Sequence, residues 1–457
     1  TNPGFVVRIT QAGLDYAKQH GVAILEKELA QLKLQDISGE SRIPVLGKVR
    51  YEISGLNLRD FQLPHSQISL VPNEGLQVSI SNAFAELDGN WRVKLRILRH
   101  HGSFNLNVEH IYIKTTLKLG RDDSGKPTVD ISACSTSISN VRVHFSGKLS
   151  WLYNLFRKTI ASKFKENLEG KVRERSSREA APGSHSSSAL CLAVTANIDA
   201  VAGIDYSLTA APVATAQFLN VDLKGECFSL AQHTPVPFTP PALAVPPEHN
   251  RMVYFGVSSY FFNTASFAYH TAGALIFEIT DAMVRRGGGE ILCCSSSPLP
   301  APLQLDEMYP NMPMKFSLSA PSAPFLNIGT NGVSLQPVVD IQAYAIYPNG
   351  NLAPLFLLGL VSNVSATADV QSGRMVGSLA VGRLKLFSFS LSPYLQVKMM
   401  QSIMNVVASS ILLPRLNERL GKGFPLPLPA QVQLSDPIVQ FHEVSGGSGA
   451  GPATHPR

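Results

Sequence analysis

Between Thr10 and Leu34 the apolar residues Leu14, Ala17, Gly21, Leu25, Leu29 and Leu32 recur at helical spacing, with Lys18, Glu26 and Lys27 on other faces. The pattern predicts a helix with Thr10 as its N-cap. After Asp36 the period becomes two. Ile111, Ile113, Thr115, Leu117 and Leu119 alternate with Tyr112, Lys114, Thr116 and Lys118, which predicts a strand buried on one face. Leu76–Ile80 reads the same way, and Asp88-Gly89 and Ser124-Gly125 are expected to be turns between such strands. The strands together predict a strongly twisted antiparallel sheet.

Helical spacing returns near Trp151. Trp151, Leu152, Leu155, Ile160, Phe164 and Leu168 share a face, opposite Arg157, Lys158, Lys163, Lys165 and Lys171. This reads as a core-packed helix with a solvated basic face rather than a membrane-contact helix. Six prolines then fall between Pro235 and Pro247, a composition that favours an extended, semi-rigid connector. Beyond it the plan repeats. An early helix is expected over Ser258–Leu275, strands including Val338–Tyr347 follow, and a late helix spans Leu395–Leu420, interrupted by Pro414 and closed by Pro-rich Phe424–Pro429. The chain therefore divides into residues 1–230, a linker at 231–250, and residues 251–457, an internal duplication of architecture.

The 457 residues suffice for two or three domains, and 34 glycines with 31 prolines suit a turn-rich, strand-leaning α+β fold. Only 16% of residues are charged, which excludes a coiled coil or a wholly disordered chain. The longest apolar runs, Leu352–Val361 and Ser402–Leu413, are too short to span a membrane. The net charge of +6 is uneven: residues 1–200 hold 26 Lys+Arg against 19 Asp+Glu, whereas residues 201–457 hold 13 against 14. An anionic partner should meet the first half; nucleic acid, anionic lipid and bacterial glycolipid all satisfy that condition. Thr1 in first place reads as a mature chain whose targeting segment has been removed, and the sequon Asn363-Val364-Ser365 is compatible with secretion and glycosylation. Five cysteines do not make a disulfide scaffold.

The strongest chemical feature is Trp91–Arg99. Arg92, Lys94 and Arg96 fall on one face of a strand and Trp91, Val93, Leu95 and Ile97 on the other, with Arg99, His100 and His101 following. Cations about 6–7 Å apart along a strand form a comb for repeated phosphates; equally, charge on an exposed strand resists aggregation. Gly120…Gly125-Lys126 has phosphate-loop spacing, but Pro127 stands where Ser or Thr must bind magnesium, so a hairpin turn is expected. The histidines form no His-Glu-x-x-His array, and Cys293-Cys294 have no second pair at zinc spacing. Nucleophile elbows and nucleic-acid motifs are also missing from the sequence. The expectation is a binding protein, not an enzyme, without metal or nucleic acid.

Five stretches carry a resemblance: TNPGFVVRIT (Thr1–Thr10), FQLPHSQISLVP (Phe61–Pro72), SGKPT (Ser124–Thr128), RMVYFGVSSYFFNTA (Arg251–Ala265) and GFPLPL (Gly423–Leu428). They resemble the family of bactericidal/permeability-increasing protein and lipopolysaccharide-binding protein. The resemblance implies two tandem lipid-binding domains, each a twisted antiparallel β-barrel with two helices, joined by a central sheet into an elongated boomerang. It implies a phospholipid in each barrel, and Ala17, Gly21 and Leu25 are the expected helix wall of the first pocket. It further implies that a basic tip of the first domain binds lipid A of lipopolysaccharide. Arg42, Lys48, Arg92, Lys94 and Arg99 match that tip, and Arg96 is added from the strand pattern.

The family's disulfide from the position of Cys134 has Arg173 as its partner position here, which leaves Cys134 without its usual mate. Glu174–Cys191, Arg285–Gln304 and the tail from Asp436 depart from the family pattern and have loop-like composition. The expected function is a secreted, monomeric innate-immune protein, or one stored in leukocyte granules, that binds lipopolysaccharide with bactericidal and endotoxin-neutralising action. The alternatives are a carrier that delivers endotoxin to host receptors and a general phospholipid-transfer protein.

Overall fold

The computed structural model describes residues 2–30, 36–43, 47–95, 98–145, 162, 165–166, 194–280, 283, 309–310, 312–330, 332–388, 401, 404–428 and 432–442. Strand β1 (Phe5–Thr10) leads directly into helix α1 (Gln11–Ala30). The Thr10 hydroxyl accepts from the Gly13 amide at 3.4 Å, as an N-cap should, and donates to the Arg251 carbonyl at 2.7 Å. The predicted continuation of the helix to Leu34 falls largely on 31–35, outside the described residues.

An antiparallel six-stranded sheet follows. It is built from β2 (Ile37–Ile43), β3 (Gly47–Gln62), β4 (His65–Val71), β5 (Gly75–Leu95), β6 (Leu98–Arg121) and β7 (Pro127–Phe145). The order is β2-β3-β5-β6-β7, with β4 also on β5. Ile111 and Ile113 are buried and Tyr112 and Lys114 exposed, as the alternation predicts. Strands of up to 24 residues stay curled because bulges bend them. At one bulge Asn82 and His110 both take positive φ, and the His110 ring meets the Asn82 side chain at 2.6 Å.

The structure corrects one turn. Asp88 and Gly89 lie inside β5 rather than between strands. Gly89 pairs with Phe104, and a Cβ there would meet the Phe104 ring at 2.9 Å. Asp88 accepts two hydrogen bonds from Arg59, at 2.6 and 3.1 Å. The glycine serves a ring and the aspartate an ion pair, so neither is used for a turn. Ser124-Gly125 does turn: Asp122 accepts from the amides of Ser124 and Lys126, Gly125 has φ +78°, and the phosphate-loop spacing is a β6–β7 hairpin.

Short strands β8 (Thr195–Asn197), β9 (Ala202–Asp205), β10 (Val213–Ala214), β11 (Phe218–Leu223) and β12 (Glu226–Ser229) precede the connector. Strand β13 (Val253–Val257) and helix α2 (Ser259–Thr271) follow it. The central sheet has the order β10-β11-β1-β13, so the first strand of the chain lies between one strand from before the connector and one from after it. Gly4 sits at this crossing. Its amide donates to Lys224, its carbonyl accepts from Ser258, and a Cβ would strike the Lys224 carbonyl oxygen. Phe5 packs edge-on to Tyr206 and Phe261 at 5.5 and 5.9 Å, in a core that also takes in Met375 and Leu426.

The second domain has its own core around Phe316, Ile341, Leu358 and Met404. Its sheet comprises β14 (Ile276–Thr280), β15 (Met314–Ser319), β16 (Leu326–Gly329), β17 (Gly332–Leu335), β18 (Val338–Ile346), β19 (Leu352–Gln371) and β20 (Arg374–Ser388). Side-chain amides tie helices to strands. Asn263 of α2 brackets the backbone of Leu326, and Asn417 that of Leu379.

The α-helical pattern of the late helix is broken just before Pro414. A π-helical turn, Ala408–Leu412, runs into helix α3 (Leu413–Lys422), which carries Pro414 in its first turn. Proline is tolerated there because that amide has no partner within the new helix. Gly423 at φ +65° ends the helix, and β21 (Phe424–Pro425) pairs with β20. The predicted helix near Trp151 lies outside the described residues apart from Ser162, Lys165 and Glu166.

Candidate functional site

Six cationic residues of the first domain meet through strand register at one end of the six-stranded sheet. Arg42 of β2 faces Lys48 of β3. On the next rung Glu40, Arg50, Lys94 and Arg99 run across β2, β3, β5 and β6. The rung after that carries Ser38, Glu52, Arg92 and His101. One rung further, Ser54, Asn90 and Ser103 carry no charge. Among the described residues, three rungs thus hold six arginines and lysines against two carboxylates.

The reason is the two-residue period of a strand. Val49, Ile53, Trp91 and Val93 are buried in the domain core, which drives the residues between them outward. Arg42, Lys48, Arg50, Arg92, Lys94 and Arg99 are accordingly exposed. Arg96 lies outside the described residues.

The two carboxylates divide this set. Glu40 contacts Lys48 Nζ at 2.5 Å through one oxygen and Arg50 Nε at 2.5 Å through the other. Hydrogen bonds from Lys48 and then Arg50 hold the Glu40 carboxyl below the usual carboxylate range. Glu52 meets Arg92 at 3.3 Å. Among the described residues, Arg42, Lys94 and Arg99 form no ion pair. The face therefore presents both free and neutralised cations.

Sequence reasoning missed Arg50 and the paired Glu40 and Glu52. Arg50 could be found only by aligning the β2–β3 hairpin with β5, because it stands 44 positions from its neighbour Lys94 in the sequence.

The expected pocket residues lie on α1. Ala17 and Gly21 are exposed, and a Cβ on Gly21 would meet nothing within 4 Å; the Leu25 side chain lies outside the described residues. Val22 packs against the domain core, and Glu26 accepts from the Leu63 amide at 2.7 Å. Helix α1 is thus fastened to the sheet by the face next to Ala17 and Gly21.

Cys134 is a half-buried free thiol and accepts from the Thr115 hydroxyl at 3.6 Å; Arg173 and Cys191 lie outside the described residues. Asn363 is exposed at a bulge of β19, where its side-chain oxygen accepts from Gln336 at 2.8 Å. Among the described residues, no cluster of His, Cys, Asp or Glu could hold a metal ion, and no helix is long and apolar enough to cross a membrane.

Comparison with known proteins gives a consistent result. The sequence profile of the LBP / BPI / CETP family N-terminal domain matches residues 13–174, and that of the family's C-terminal domain matches 196–445. Neither covers 175–195, which contains most of the Ser-rich stretch. Human lipopolysaccharide-binding protein is 40% identical over 97% of this chain and 92% of its own length. Rat bactericidal permeability-increasing protein is 36% identical over 96% and 91%. A crystal structure of lipopolysaccharide binding protein superposes with a TM-score of 0.57 at 37% identity, covering 95% of this chain and 96% of that one. With two domain profiles spanning most of its length and near-full-length relatives, the chain belongs to the LBP / BPI / CETP family.

Proposed function

We propose that this protein is a secreted, non-enzymatic component of innate immunity that binds lipopolysaccharide of Gram-negative bacteria through the basic face of its first domain. The three-rung array carries this reading. Among the described residues Arg42, Lys94 and Arg99 have no carboxylate partner, and phosphates presented by a lipid surface would supply opposite charge. The named relatives that bind lipopolysaccharide support the same substrate class. Cations neutralise lipid A phosphates, apolar groups engage acyl chains, and displacement of divalent bridges between lipids loosens the outer membrane. This yields bactericidal and endotoxin-neutralising action by a monomer, released extracellularly or held in leukocyte granules.

A second reading, transfer of endotoxin to host receptors, is supported by the near-full-length similarity to human lipopolysaccharide-binding protein. A killing assay on Gram-negative cells separates the two. The exposed Ala17 and Gly21, on the helix face beside the sheet, support a bound phospholipid, and native mass spectrometry should find up to two per chain. Phospholipid transfer between vesicles free of endotoxin would instead point to a general lipid-transfer role.

The decisive experiment is endotoxin titration of the full chain with Arg92, Lys94 and Arg96 reversed to glutamate. Binding should fall strongly. In the unmodified protein it should weaken with salt without vanishing, because exposed charges are screened over about 8 Å at physiological ionic strength and acyl contacts are not. Normal binding by the triple variant would remove the basic face as the site.

A further inference from the structure

Glu40 occupies an unusual place in the basic face. Its two oxygens reach two different cations, Lys48 and Arg50, each at 2.5 Å. In the register it stands at the end of the row Glu40–Arg50–Lys94–Arg99, next to the Arg42–Lys48 rung. We propose that the Glu40 carboxylate is an internal stand-in for a phosphate group, and that a phosphate-bearing lipid headgroup displaces it to take Lys48 and Arg50. The inference rests on the lipid-phosphate reading of this face.

Four observations support it. A carboxylate bridging an ammonium and a guanidinium has the donor arrangement that a phosphate would use. The Lys48, Arg50 and Glu40 side chains are 66%, 66% and 40% exposed, so an incoming headgroup reaches the cations and Glu40 can swing into water without loss of hydration. Exposed ion pairs of this kind contribute little stability, so the contact is readily exchanged. Removing Glu40 from its seat also frees Arg50 and Lys48 from their carboxylate, leaving Arg50, Lys94 and Arg99 as three adjacent unneutralised cations with Lys48 beside them.

The consequence is selectivity. A tethered carboxylate competes with every anion at a fixed effective concentration. A singly charged carboxylate ligand gains nothing by replacing it. A phosphate monoester brings more charge and three acceptor oxygens, and so does gain. Glu40 therefore sets a threshold that monoester phosphates pass and weaker anions do not, which is discrimination by a built-in repulsive element.

The test compares the full chain with Glu40→Gln and Glu74→Gln, using phosphatidylcholine vesicles that carry phosphatidic acid as the monoester probe. Glu74 is an exposed residue in the β4–β5 turn at the other end of β5, so its variant makes the same charge change away from the face. Glu40→Gln should tighten vesicle binding about ten-fold and Glu74→Gln no more than about two-fold, the latter being long-range charge alone. The Glu40→Gln gain should disappear when Lys48 and Arg50 are both changed to Gln. Glu40→Asp keeps the charge but is too short to reach both cations, and should show a smaller gain; it carries the test if Glu40→Gln does not fold. Equal effects of Glu40→Gln and Glu74→Gln, or a gain that survives loss of Lys48 and Arg50, would overturn the proposal. If the Arg92, Lys94 and Arg96 reversal abolishes endotoxin binding while Glu40→Gln behaves like Glu74→Gln, only the stand-in role falls. If that reversal changes nothing, the lipid-phosphate reading falls with it.

Discussion

The Arg8 guanidinium donates to the carbonyl of Pro246, joining the first strand of the chain to the proline-rich connector. It also donates to Asn220 at 2.9 Å and lies 4.0 Å over the Phe218 ring. Burial depresses its basicity, yet its donors are directed at carbonyl and amide oxygens. Phe238 of the connector packs on Tyr260, Phe267 and Phe325, and Val245 lies over Gly256. The connector is thus held to the central sheet and α2 along its length.

Arg8→Met should keep the packing of the stem over Phe218 and lose these hydrogen bonds. A loss of about 1–3 kcal/mol is expected, since donors to buried acceptors are removed. Denaturant unfolding measures the loss, and limited proteolysis should show faster cleavage between residues 235 and 247. Unchanged cleavage would mean that the prolines alone stiffen the segment.

Gly89→Val should destabilise the first domain by about 1–3 kcal/mol, because the new side chain competes with the Phe104 ring for one volume. Combining it with Phe104→Leu should recover part of the loss, and a double-mutant cycle measures that coupling. If Asp88-Gly89 acted as a turn, the valine would be felt without any coupling to Phe104.

Cys134 and Cys227 should differ in reactivity. Burial pushes the Cys227 thiol up, and only 1% of the residue is accessible. A thiol reagent at pH 8 should label Cys134 in the native protein and reach Cys227 only after denaturation. Peptide mapping identifies the sites; protection of Cys134 by a mixed or internal disulfide would contradict the expectation.

Alkaline pH should loosen the centre of the molecule. Tyr206, Tyr260 and Tyr269 donate to Pro425, Glu226 and Asp199, and burial raises the pKa of all three. Above the unfolded tyrosine value of about 10 the unfolded chain binds fewer protons than the native one, so stability must fall as pH rises. The contribution is complete below that value and is lost progressively toward the raised native values. Near-ultraviolet circular dichroism from pH 8 to 12 should therefore show a transition beginning near 10. Tyr206→Phe should reduce its steepness.

The elements whose signal lies within one strand or turn were legible from the residues. Ile111–Thr115 alternates because each side chain's face is set by its own backbone, until a bulge at Thr116/Leu117 buries Thr116 against the predicted pattern, and Thr10 caps α1 because its hydroxyl and the Gly13 amide are three residues apart. The charge asymmetry and the outward set Arg92 and Lys94 followed from the same local rules. Asp88-Gly89 misled because the dipeptide satisfies a local turn preference, whereas the space beside Gly89 belongs to a ring on the next strand.

The amino-acid sequence by itself determined the periods, the caps, the proline connector, the cationic bias of the first half and the family. Only the tertiary structure decided which charges meet. Glu40 reaches Arg50 across a hairpin, Arg50 faces Lys94 across a long excursion of chain, and Arg8 is buried beneath a segment more than 200 residues away. Side-chain period is written in neighbouring residues, but cross-strand partners depend on register, and register is set where bulges and packed rings from distant strands settle together.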